Sequence, residues 1–246
     1  MTKRAWVTGA SSGIGKALVE SLIAEGYEVL VSSRSLEKLK EIQFELGAQV
    51  TPLAVDLSKS ESVPFLKTKF SNMTLDEVYL IAGGCEYIDM PKFDSSVLGK
   101  IMNQNYMSHA YAIEACLDSL NKSVKPWLVG MSSSVAWTGL PRAEAYGSSK
   151  AAIHYLMSSL RADLINKIDV SVICPGFIQT PLTDQNDFPM PGKISAESAA
   201  QRIRKAHKSR PFEIHFPKRF TWFLKALALS PQWVQDYMKN KMQRPL

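Results

Sequence analysis

Short apolar runs recur along this chain and alternate with stretches whose apolar residues have helical spacing. The runs cover residues 5–7, 29–31, 50–55, 78–82, 127–131 and 170–174, and residues 212–216 complete the series. Strands that are apolar along their whole length are typical of a parallel sheet with helices on both faces. The sequence therefore predicts an α/β fold built on a doubly wound parallel sheet.

The composition is that of an ordinary globular protein. Of the 246 residues, 46% are hydrophobic and 21% are charged, and no repeat or low-complexity linker divides them. A chain of this length can bury one large core, so residues 1–246 are predicted to form a single domain. No apolar run approaches the roughly 20 residues of a membrane-spanning helix, and the residues after Met1 do not resemble a secretory signal.

The cysteines and histidines show no ligand pattern. Cys85, Cys116 and Cys174 lie far apart and outside metal-ligand spacing. An odd number of scattered cysteines indicates free, buried thiols and a reducing compartment, so we expect a cytoplasmic location. The four histidines have no spacing typical of zinc or of a serine triad, and we expect them to be structural or exposed, with no metal bound.

The positive charge of the chain is concentrated at its C-terminal end. From Pro217 onward six basic residues face only Asp236, which gives +5 of the net charge of +6. The rest is nearly neutral, so no nucleic-acid partner is expected. Residues 217–246 form a basic, apolar tail that is predicted to be helical. It could be a core helix or homo-dimer contact, cover an apolar substrate pocket, or insert shallowly at an anionic membrane surface, in decreasing order of preference.

The first apolar run leads into a glycine-rich turn. Gly9, Gly13 and Gly15 follow the run, and from Ile14 apolar residues recur at helical spacing. Glycines let a phosphate approach backbone N–H groups, and the N-terminus of the following helix favours its negative charge. A strand, a glycine turn and a helix in this order predict a site for the pyrophosphate of a dinucleotide.

Two polar residues follow the next two strands. Arg34 comes about twenty residues after the glycines, where a dinucleotide-binding unit contacts the adenosine ribose. An arginine can bind a 2′-phosphate through two hydrogen bonds, which predicts NADP(H) as the cofactor; the alternative is an arginine that caps an exposed loop. Asp56 could accept a hydrogen bond from the adenine amino group or cap a helix, and the sequence favours neither.

A serine, a tyrosine and a lysine could act together in the second half of the chain. Tyr146 and Lys150 are four residues apart and would share one face of a helix. A phenol needs a nearby cation to act as an acid or base near neutral pH, and Lys150 would lower its pKa. Ser133 lies thirteen residues before Tyr146, after a predicted strand that can direct its hydroxyl to that helix. Alone, such a trio is more often structural than catalytic.

Other polar and small residues mark the predicted carboxyl edge of the sheet. Ala82 and Gly83 end a strand, where the backbone can pass close to a cofactor. Asn105 lies in a predicted helix although asparagine is poor helix material, which indicates a side-chain or water contact. Residues 181–194 have loop composition and the length of a substrate lid, and Ser195 is the expected cap of the next helix.

These motifs, in this order, resemble the short-chain dehydrogenase/reductase family. The match covers roughly residues 3–182 and consists of Thr8-Gly9-x-x-x-Gly13-x-Gly15, Ala82-Gly83, Asn105, Ser133, Tyr146-x-x-x-Lys150 and Pro175-Gly176. The resemblance implies a Rossmann-type domain, usually a homo-dimer or homo-tetramer, that moves a hydride between NAD(P) and a carbonyl or alcohol without metal. Ile81 departs from the pattern, since the family usually has a sheet-bracing asparagine there, and this puts local stability in doubt.

The resemblance also implies roles for single residues. Tyr146 would be the general acid/base, Lys150 would lower its pKa and hold the nicotinamide ribose, and Ser133 would bind the substrate oxygen. Asn105 would hold a water in the proton relay. The expected cofactor contacts, including Arg34 from the argument above, are Gly9, Ser11, Gly13, Ile14, Arg34, Asp56, Ala82, Gly83, Tyr146, Lys150, Pro175, Gly176 and Thr180.

The combined prediction is an NADP(H)-dependent oxidoreductase that acts on a carbonyl compound or secondary alcohol. The apolar residues around the lid indicate an apolar small-molecule substrate; the alternative is that they only pack the lid itself. They are Phe177, Ile178, Leu182, Phe188 and Met190. One alternative is a dinucleotide-binding regulator without turnover, which would have no need of the catalytic residues. The other is an epimerase or dehydratase of the extended type, whose glycine turn has a different spacing and whose chain is usually longer.

Overall fold

A seven-stranded parallel sheet forms the centre of the protein, described by a computed structural model for residues 2–184 and 186–242. Its strand order is β3-β2-β1-β4-β5-β6-β9, and every pairing is parallel. The strands are β1 (Arg4–Thr8), β2 (Glu28–Ser33), β3 (Val50–Ala54), β4 (Glu77–Leu80), β5 (Trp127–Met131), β6 (Asp169–Pro175) and β9 (Glu213–Phe216). The predicted Rossmann-type, doubly wound α/β fold is confirmed.

Helices cover both faces of this sheet. They are α1 (Gly13–Ala24), α2 (Leu36–Leu46), α3 (Ser62–Phe70), α4 (Ser95–Met102), α5 (Ser108–Leu120), α6 (Glu144–Asp163), α7 (Ala196–Ala206), α8 (Lys218–Leu229) and α9 (Gln232–Asn240). Alternate residues of each strand face opposite sides, so β1 sends Val7 into one apolar cluster with α1, α2 and α7. Trp6 enters the other cluster, with α3, α5 and α6.

The strand predicted at residues 78–82 ends earlier than expected, at Leu80. The N–H groups of Ile81 and Ala82 donate to the Thr8 hydroxyl at 3.0 and 3.1 Å instead of continuing the ladder. Ile81, which replaces the expected asparagine, packs against the apolar cluster of the α1 face. A side-chain hydroxyl of β1 therefore holds the chain as it leaves β4 for the carboxyl edge.

The amino edge of the sheet holds a buried ion pair. Glu77, the first residue of β4, is 1% exposed, and its carboxylate accepts from Arg204 of α7 at 2.5 Å. Arg204 also donates to Glu25, which follows α1, at 2.6 Å. Tyr27 and Tyr79 donate their hydroxyls to the two oxygens of Glu77, at 2.7 and 2.5 Å. Both oxygens of this buried carboxylate are therefore hydrogen-bonded.

The segment between β6 and α7 carries the predicted lid. Its two ends are joined by a short parallel pair, β7 (Ile178–Gln179) with β8 (Ile194–Ser195), which the sequence did not predict. The Ser195 hydroxyl accepts from the N–H of Ser198 at 3.2 Å, which confirms the predicted cap of α7. The lid therefore leaves and rejoins the fold at one point beside the sheet.

The C-terminal tail forms two helices, α8 and α9. Thr221, Leu224 and Leu227 bury one face of α8, so the core-helix interpretation holds for that face. Its other face and α9 stay exposed: the exposed fractions are 59% for Trp222, 89% for Leu229 and 73% for Trp233. Arg244, part of the predicted basic tail, lies outside the described residues. None of the helices in the described part is long and apolar enough to cross a membrane.

The three cysteines are free thiols. Cys116 and Cys174 are buried, as predicted, whereas Cys85 is only partly buried because it lies in the loop that follows β4. The expectation of three buried thiols is therefore wrong for Cys85.

Candidate active site

A cleft of about 430 Å³ opens at the carboxyl ends of the strands. Parallel sheets of this kind bind ligands at that edge, where loops from several strands meet. All of the residues predicted to contact the cofactor line this one cleft: Gly9, Ser11, Gly13, Ile14, Arg34, Asp56, Ala82, Gly83, Tyr146, Lys150, Pro175, Gly176 and Thr180. Residues as far apart in sequence as Gly9 and Thr180, which are separated by 171 positions, thus share one surface.

The glycine turn is shaped for a ligand that must approach the backbone closely. Gly9 has φ +65°, and a Cβ there would lie 2.8 Å from backbone atoms of Ala82. At Gly15 a Cβ would lie 2.2 Å from the Gly9 carbonyl oxygen. Ser12 is the N-cap of α1 but makes no side-chain capping bond, so the N-terminal N–H groups of that helix have no partner from its side chain. This arrangement suits a pyrophosphate.

The loop after β6 packs directly on that turn. Gly13 has φ +53°, and a Cβ there would lie 2.9 Å from Cγ2 of Thr180. The N–H of Thr180 donates to the Thr183 hydroxyl at 3.1 Å, which fixes the loop. The residue expected beside the nicotinamide amide therefore lies next to the residue expected beside the pyrophosphate.

Arg34 and Asp56 lie at the other end of the cleft. Arg34 is exposed just after β2, and Lys38, in the first turn of α2, lines the cleft with it. Asp56 accepts from the N–H and the hydroxyl of Ser58 at 3.0 and 2.7 Å. Burial would raise the pKa of Asp56, but these hydrogen bonds and the charge of Arg34 lower it. Sequence reasoning missed Lys38, although its position four residues after Arg34 was a usable signal.

Lys150 is buried beneath Tyr146 on α6. Its ammonium lies 5.7 Å from the centre of the Tyr146 ring and donates to the carbonyl of Met131 at 2.9 Å. The partner of this charge is thus a carbonyl and not a carboxylate. Burial lowers the pKa of Lys150 to about 8, and the thiols of Cys85 and Cys174 oppose that shift. Helical spacing placed the pair together, as predicted.

The Tyr146 hydroxyl interacts with that of Ser133. Burial and the Cys85 thiol raise the pKa of Tyr146, and the Ser133 hydroxyl opposes them. The pKa is raised overall because burial has the largest effect, and the lowering by Lys150 that the resemblance implies stays a prediction. The Ser133 hydroxyl oxygen also accepts from the N–H of Val135 at 3.3 Å, at the start of a 3₁₀ turn over Ser134–Trp137.

The neighbours of Ser133 have other roles. Ser132 donates its hydroxyl to the backbone carbonyl of Lys150 at 2.7 Å and so holds β5 against α6. Ser134 is buried in the first position of the 3₁₀ turn. Of the three serines, Ser133 is the one whose hydroxyl interacts with Tyr146, which agrees with the predicted spacing.

Asn105 lies in a π-helical turn, Asn103–Met107, between α4 and α5. Its side chain accepts from the N–H of Gly84 at 2.7 Å and donates to the Gly84 carbonyl at 3.0 Å and to Ser149 at 2.9 Å. A Cβ at Gly83 would lie 3.0 Å from the Asn105 side-chain oxygen and 3.3 Å from the Lys150 ammonium. Asn105 therefore braces the loop after β4 against α6, beside Lys150.

His109 is a buried residue near the site whose position sequence reasoning missed. Its Nδ1 lies 2.7 Å from the carbonyl oxygen of Asn105, and its Nε2 accepts from the N–H of Met131 at 3.3 Å. Burial first, and then the charge of Lys150, lower the pKa of His109 to about 3, so the ring is neutral. All four histidines were predicted to be structural or exposed, but only the fold shows that this one lies beside Lys150.

The predicted lid segment contacts the loop after β4. Tyr87 donates its hydroxyl to Asn186 at 2.8 Å, and its ring meets that of Phe188 at 5.8 Å. Arg142 lies 5.0 Å from the centre of the Tyr87 ring and pairs with Asp187 at 3.0 Å. Two loops and the segment before α6 thus meet near Tyr146.

An aromatic row continues from the lid to the tail. Phe188 meets Phe177 at 6.0 Å, and Phe177 meets Phe220 of α8 at 5.3 Å. A Cβ at Gly176 would lie 2.7 Å from the Phe220 ring, so this glycine allows the tail to pack on the loop after β6. The first turn of α8 thus packs on this loop, and the interpretation of the tail as a cover of the pocket stays a prediction.

A second polar cluster lies behind the site. Atoms of His154, Cys174 and Glu213 lie within 4.8 Å of one another. Glu213 binds Lys225 and accepts from His154 at 2.9 Å, and these hydrogen bonds lower the Glu213 pKa to about 2 against the effect of burial. An ammonium thus already neutralises this carboxylate, and the ion pair ties α8 to β9.

Comparison with known proteins agrees with this geometry. The family model described as short chain dehydrogenase matches residues 3–189. The chain belongs to the short-chain dehydrogenase family. An uncharacterized oxidoreductase of Myxococcus xanthus is 31% identical over 223 residues, which cover 87% of each chain. The family is one of oxidoreductases that bind a nicotinamide dinucleotide.

Two solved structures show the range of cofactors among similar folds. An alcohol dehydrogenase from the archaeon Thermococcus sibiricus, complexed with 5-hydroxy-NADP, is 25% identical with a TM-score of 0.80, over 88% of this chain and 96% of its own. A short-chain dehydrogenase/reductase from Burkholderia phymatum, in complex with NAD, is 20% identical with a TM-score of 0.83, over 100% of this chain and 98% of its own. The choice between the two cofactors therefore depends on this chain's own residues.

Proposed function

We propose that this protein is an NADP(H)-dependent oxidoreductase that interconverts an apolar carbonyl compound and its secondary alcohol, with Tyr146 as general acid/base. The observation that carries the proposal is that the Ser133 hydroxyl and the buried ammonium of Lys150 both lie close to Tyr146, which lines a cleft with a glycine turn. A binding module would gain nothing from a buried lysine under a tyrosine. This is the chemistry that general acid–base catalysis requires.

The cleft fits a dinucleotide along its whole length. The positive φ angles and tight contacts of Gly9 and Gly13 leave room for a pyrophosphate but not for a side chain. Arg34 and Lys38 give two cations where the adenosine ribose of a dinucleotide lies, which favours NADP over NAD. The dinucleotide, when bound, supplies or accepts the hydride.

The protein side chains then move the proton and hold the substrate oxygen. Ser133 accepts from the N–H of Val135, so its own O–H remains able to donate to a substrate oxygen. Tyr146 donates its phenolic proton to that oxygen during reduction. Lys150, whose pKa is about 8, is mostly protonated at neutral pH and stabilises the phenolate that results.

The substrate side favours an apolar molecule. Its described contacts are the rings of Tyr87, Phe177, Phe188 and Phe220, in one row from the lid to α8. The charged groups nearby, Arg142 and Asp187, pair with each other. Aromatic rings bury large apolar area with little loss of side-chain entropy, so a ring or chain of carbons beside the carbonyl would bind best.

The direct experiment follows NADPH consumption with a panel of apolar ketones and aldehydes. Tyr146→Phe is expected to lower kcat by roughly 10²- to 10⁴-fold, because it removes the transferred proton and keeps the ring. The matched control is Tyr155→Phe, a tyrosine on the same helix that is 77% exposed, and it should keep the parent rate. Undiminished turnover by Tyr146→Phe would show that another group is the acid.

Cofactor choice has its own measurement. Arg34→Ala should weaken NADPH binding by about tenfold or more, because a charge-assisted hydrogen bond contributes roughly 1.5–3 kcal/mol, and should leave NADH binding unchanged. Titration of each cofactor by fluorescence gives both constants. Equal affinity for NADPH and NADH in the parent, unaltered by the substitution, would contradict the assignment.

Related measurements test the two alternative functions and the oligomeric state. Tight NADPH binding without turnover on a broad panel would favour the regulator, and substrate isomerisation or dehydration without net NADPH consumption would favour an epimerase or dehydratase. A homo-dimer or homo-tetramer remains our prediction, with the exposed face of α8 and α9 as one candidate contact. Sedimentation analysis tests it.

A further inference from the structure

The carbonyl of Asn105, in the π-helical turn at Asn103–Met107, has both backbone and side-chain partners. The backbone N–H of Ser108 donates to it. It also accepts from the Ser108 hydroxyl at 3.0 Å and from the imidazole Nδ1 of His109 at 2.7 Å. Two side chains of α5 therefore converge on this carbonyl.

The other nitrogen of the same ring meets β5. Nε2 of His109 accepts from the N–H of Met131, the last residue of that strand, at 3.3 Å. The register of β4 and β5, in which Leu80 pairs with Gly130, places the Leu80 carbonyl on the same Met131 N–H, so the imidazole is a second partner of this amide. The carbonyl of the same Met131 residue accepts from the Lys150 ammonium at 2.9 Å.

We propose that His109 is a positioning residue of this site: its imidazole ties the Asn105 carbonyl to the Met131 amide and thereby fixes the Met131 carbonyl that holds Lys150. The proposal rests on the proposed function, because it assigns His109 a task in the Tyr146–Lys150 chemistry. It also gives Asn105 a bracing role, since its carbonyl and side chain already have protein partners.

The chemistry of the two neighbours fixes the ring's state. A carbonyl oxygen only accepts and a backbone N–H only donates, so the proton must sit on Nδ1 and Nε2 must be bare. The ring must also stay neutral, because a second proton would break the bond from Met131 and place a charge near Lys150. The low pKa of His109, caused by burial and Lys150 and opposed by the carbonyls of Asn105 and Leu80, agrees with that state.

The positioning role also predicts how a substitution of His109 affects Lys150. Without the imidazole, the Met131 N–H is buried with one partner fewer and the end of β5 can move, so the Met131 carbonyl no longer faces Lys150 in one fixed geometry. A lysine that loses a carbonyl acceptor is less able to stay charged, so its pKa falls further. The titratable groups that face Lys150 are Tyr146, His109, Cys85 and Cys174.

The first test needs no substrate. Long-range ¹H–¹⁵N correlation spectra of the full-length protein report which imidazole nitrogen carries the proton, with the His109→Gln spectrum used for assignment. The expected result is one histidine with a protonated Nδ1, a bare Nε2 and no titration above about pH 5. A protonated Nε2, or titration near the ordinary histidine pKa, would overturn the assignment.

The second test measures kcat, KM and their pH dependence in two variants. His109→Leu removes both hydrogen bonds at similar volume and should lower kcat by tenfold or more with little change in KM, because small displacements of a catalytic group are costly. The alkaline limb of the kcat profile should move to lower pH. His109→Gln, which can donate and accept, should restore most of kcat and the parent profile.

A destabilised control variant distinguishes a loss of the positioning role of His109 from a general loss of folding stability. Ile113→Ala removes buried volume one turn further along α5, so it should lower the free energy of unfolding and leave the pH profile where the parent has it. A His109→Leu variant with the parent's kcat and alkaline limb would overturn the proposal. Absence of turnover in the parent itself would instead be a failure of the proposed function, and the NMR result would still show whether the His109 contacts exist.

Discussion

The two edges of the sheet each bury a cation, and they treat it differently. At the amino edge the guanidinium of Arg204 meets the carboxylates of Glu77 and Glu25 and the hydroxyl of Tyr79. At the carboxyl edge the ammonium of Lys150 donates to one backbone carbonyl, that of Met131. Both cations are nearly inaccessible to solvent, with 7% of Arg204 and 3% of Lys150 exposed.

The difference in pairing moves the pKa values of the two cations in opposite directions. Burial opposes the charge of Arg204, but Glu25, Tyr79 and Glu77 outweigh it and raise the Arg204 pKa, so this cation keeps its proton under all ordinary conditions. Burial of Lys150 without a carboxylate lowers its pKa to about 8, near the pH at which the protein would work. A charge that is fully paired stabilises the fold, and one that is left poorly paired can take part in proton transfer.

Lys150→Met should give the largest effect on turnover, and it tests whether the buried Lys150 charge stabilises the fold as that of Arg204 does. Turnover is expected to fall by roughly 10²- to 10⁴-fold, because Tyr146 loses the cation that stabilises its phenolate. The free energy of unfolding should stay level or rise, because a buried charge with no carboxylate partner is replaced by an apolar side chain of similar length. Steady-state kinetics and urea unfolding measure the two quantities, and a marked loss of stability would show that Lys150 is structural.

Arg204→Met is the converse experiment at the amino edge. Removing one partner of a buried ion pair leaves the other uncompensated, so the free energy of unfolding should fall by about 3–5 kcal/mol. Below the unfolding transition kcat should match the parent. Arg202→Met, on the exposed side of the same helix, is the matched control and should change stability by less than about 0.5 kcal/mol. The contrast between the edges breaks down if Arg204→Met is as stable as its control.

The pH dependence of the free energy of unfolding should report the lowered pKa of Lys150 directly. With a pKa of 10.5 unfolded and about 8 folded, Lys150 binds more protons in the unfolded chain between these values. The free energy of unfolding therefore rises with pH through this window. The destabilisation caused by the buried charge of Lys150, roughly 3 kcal/mol, is fully present below about pH 8. The measurement is the difference in unfolding free energy between parent and Lys150→Met from pH 7 to 10.5. A difference that does not vary with pH would mean that the folded pKa is unshifted.

Features encoded in local sequence were predictable. The strand at residues 127–131 was predicted with its observed ends because it is apolar throughout and bounded by polar residues. The glycine turn followed from the spacing of Gly9, Gly13 and Gly15, and the proximity of Tyr146 and Lys150 followed from helical periodicity. In each case a few neighbouring residues determine the geometry.

Features that join distant residues were not predictable in the same way. Glu77 and Arg204 are 127 positions apart, and neither has neighbours that indicate a buried pair. His109 lies 22 positions from Met131, and its bond to that residue depends on the π-helical turn before α5. The early end of β4 depends on the Thr8 hydroxyl, which belongs to another strand. Such contacts follow from the assembled fold and not from any local pattern.

Tryptophans are buried in the core and exposed in the tail, so the fluorescence of the protein can distinguish the two regions. Trp6 and Trp127 are fully buried in the sheet layers, whereas Trp222 and Trp233 are 59% and 73% exposed on α8 and α9. A dissolved quencher such as acrylamide would therefore reach the second pair first, and any partner that covers the tail would protect it. Emission from a single sample can thus follow the loosening of the tail separately from the melting of the core.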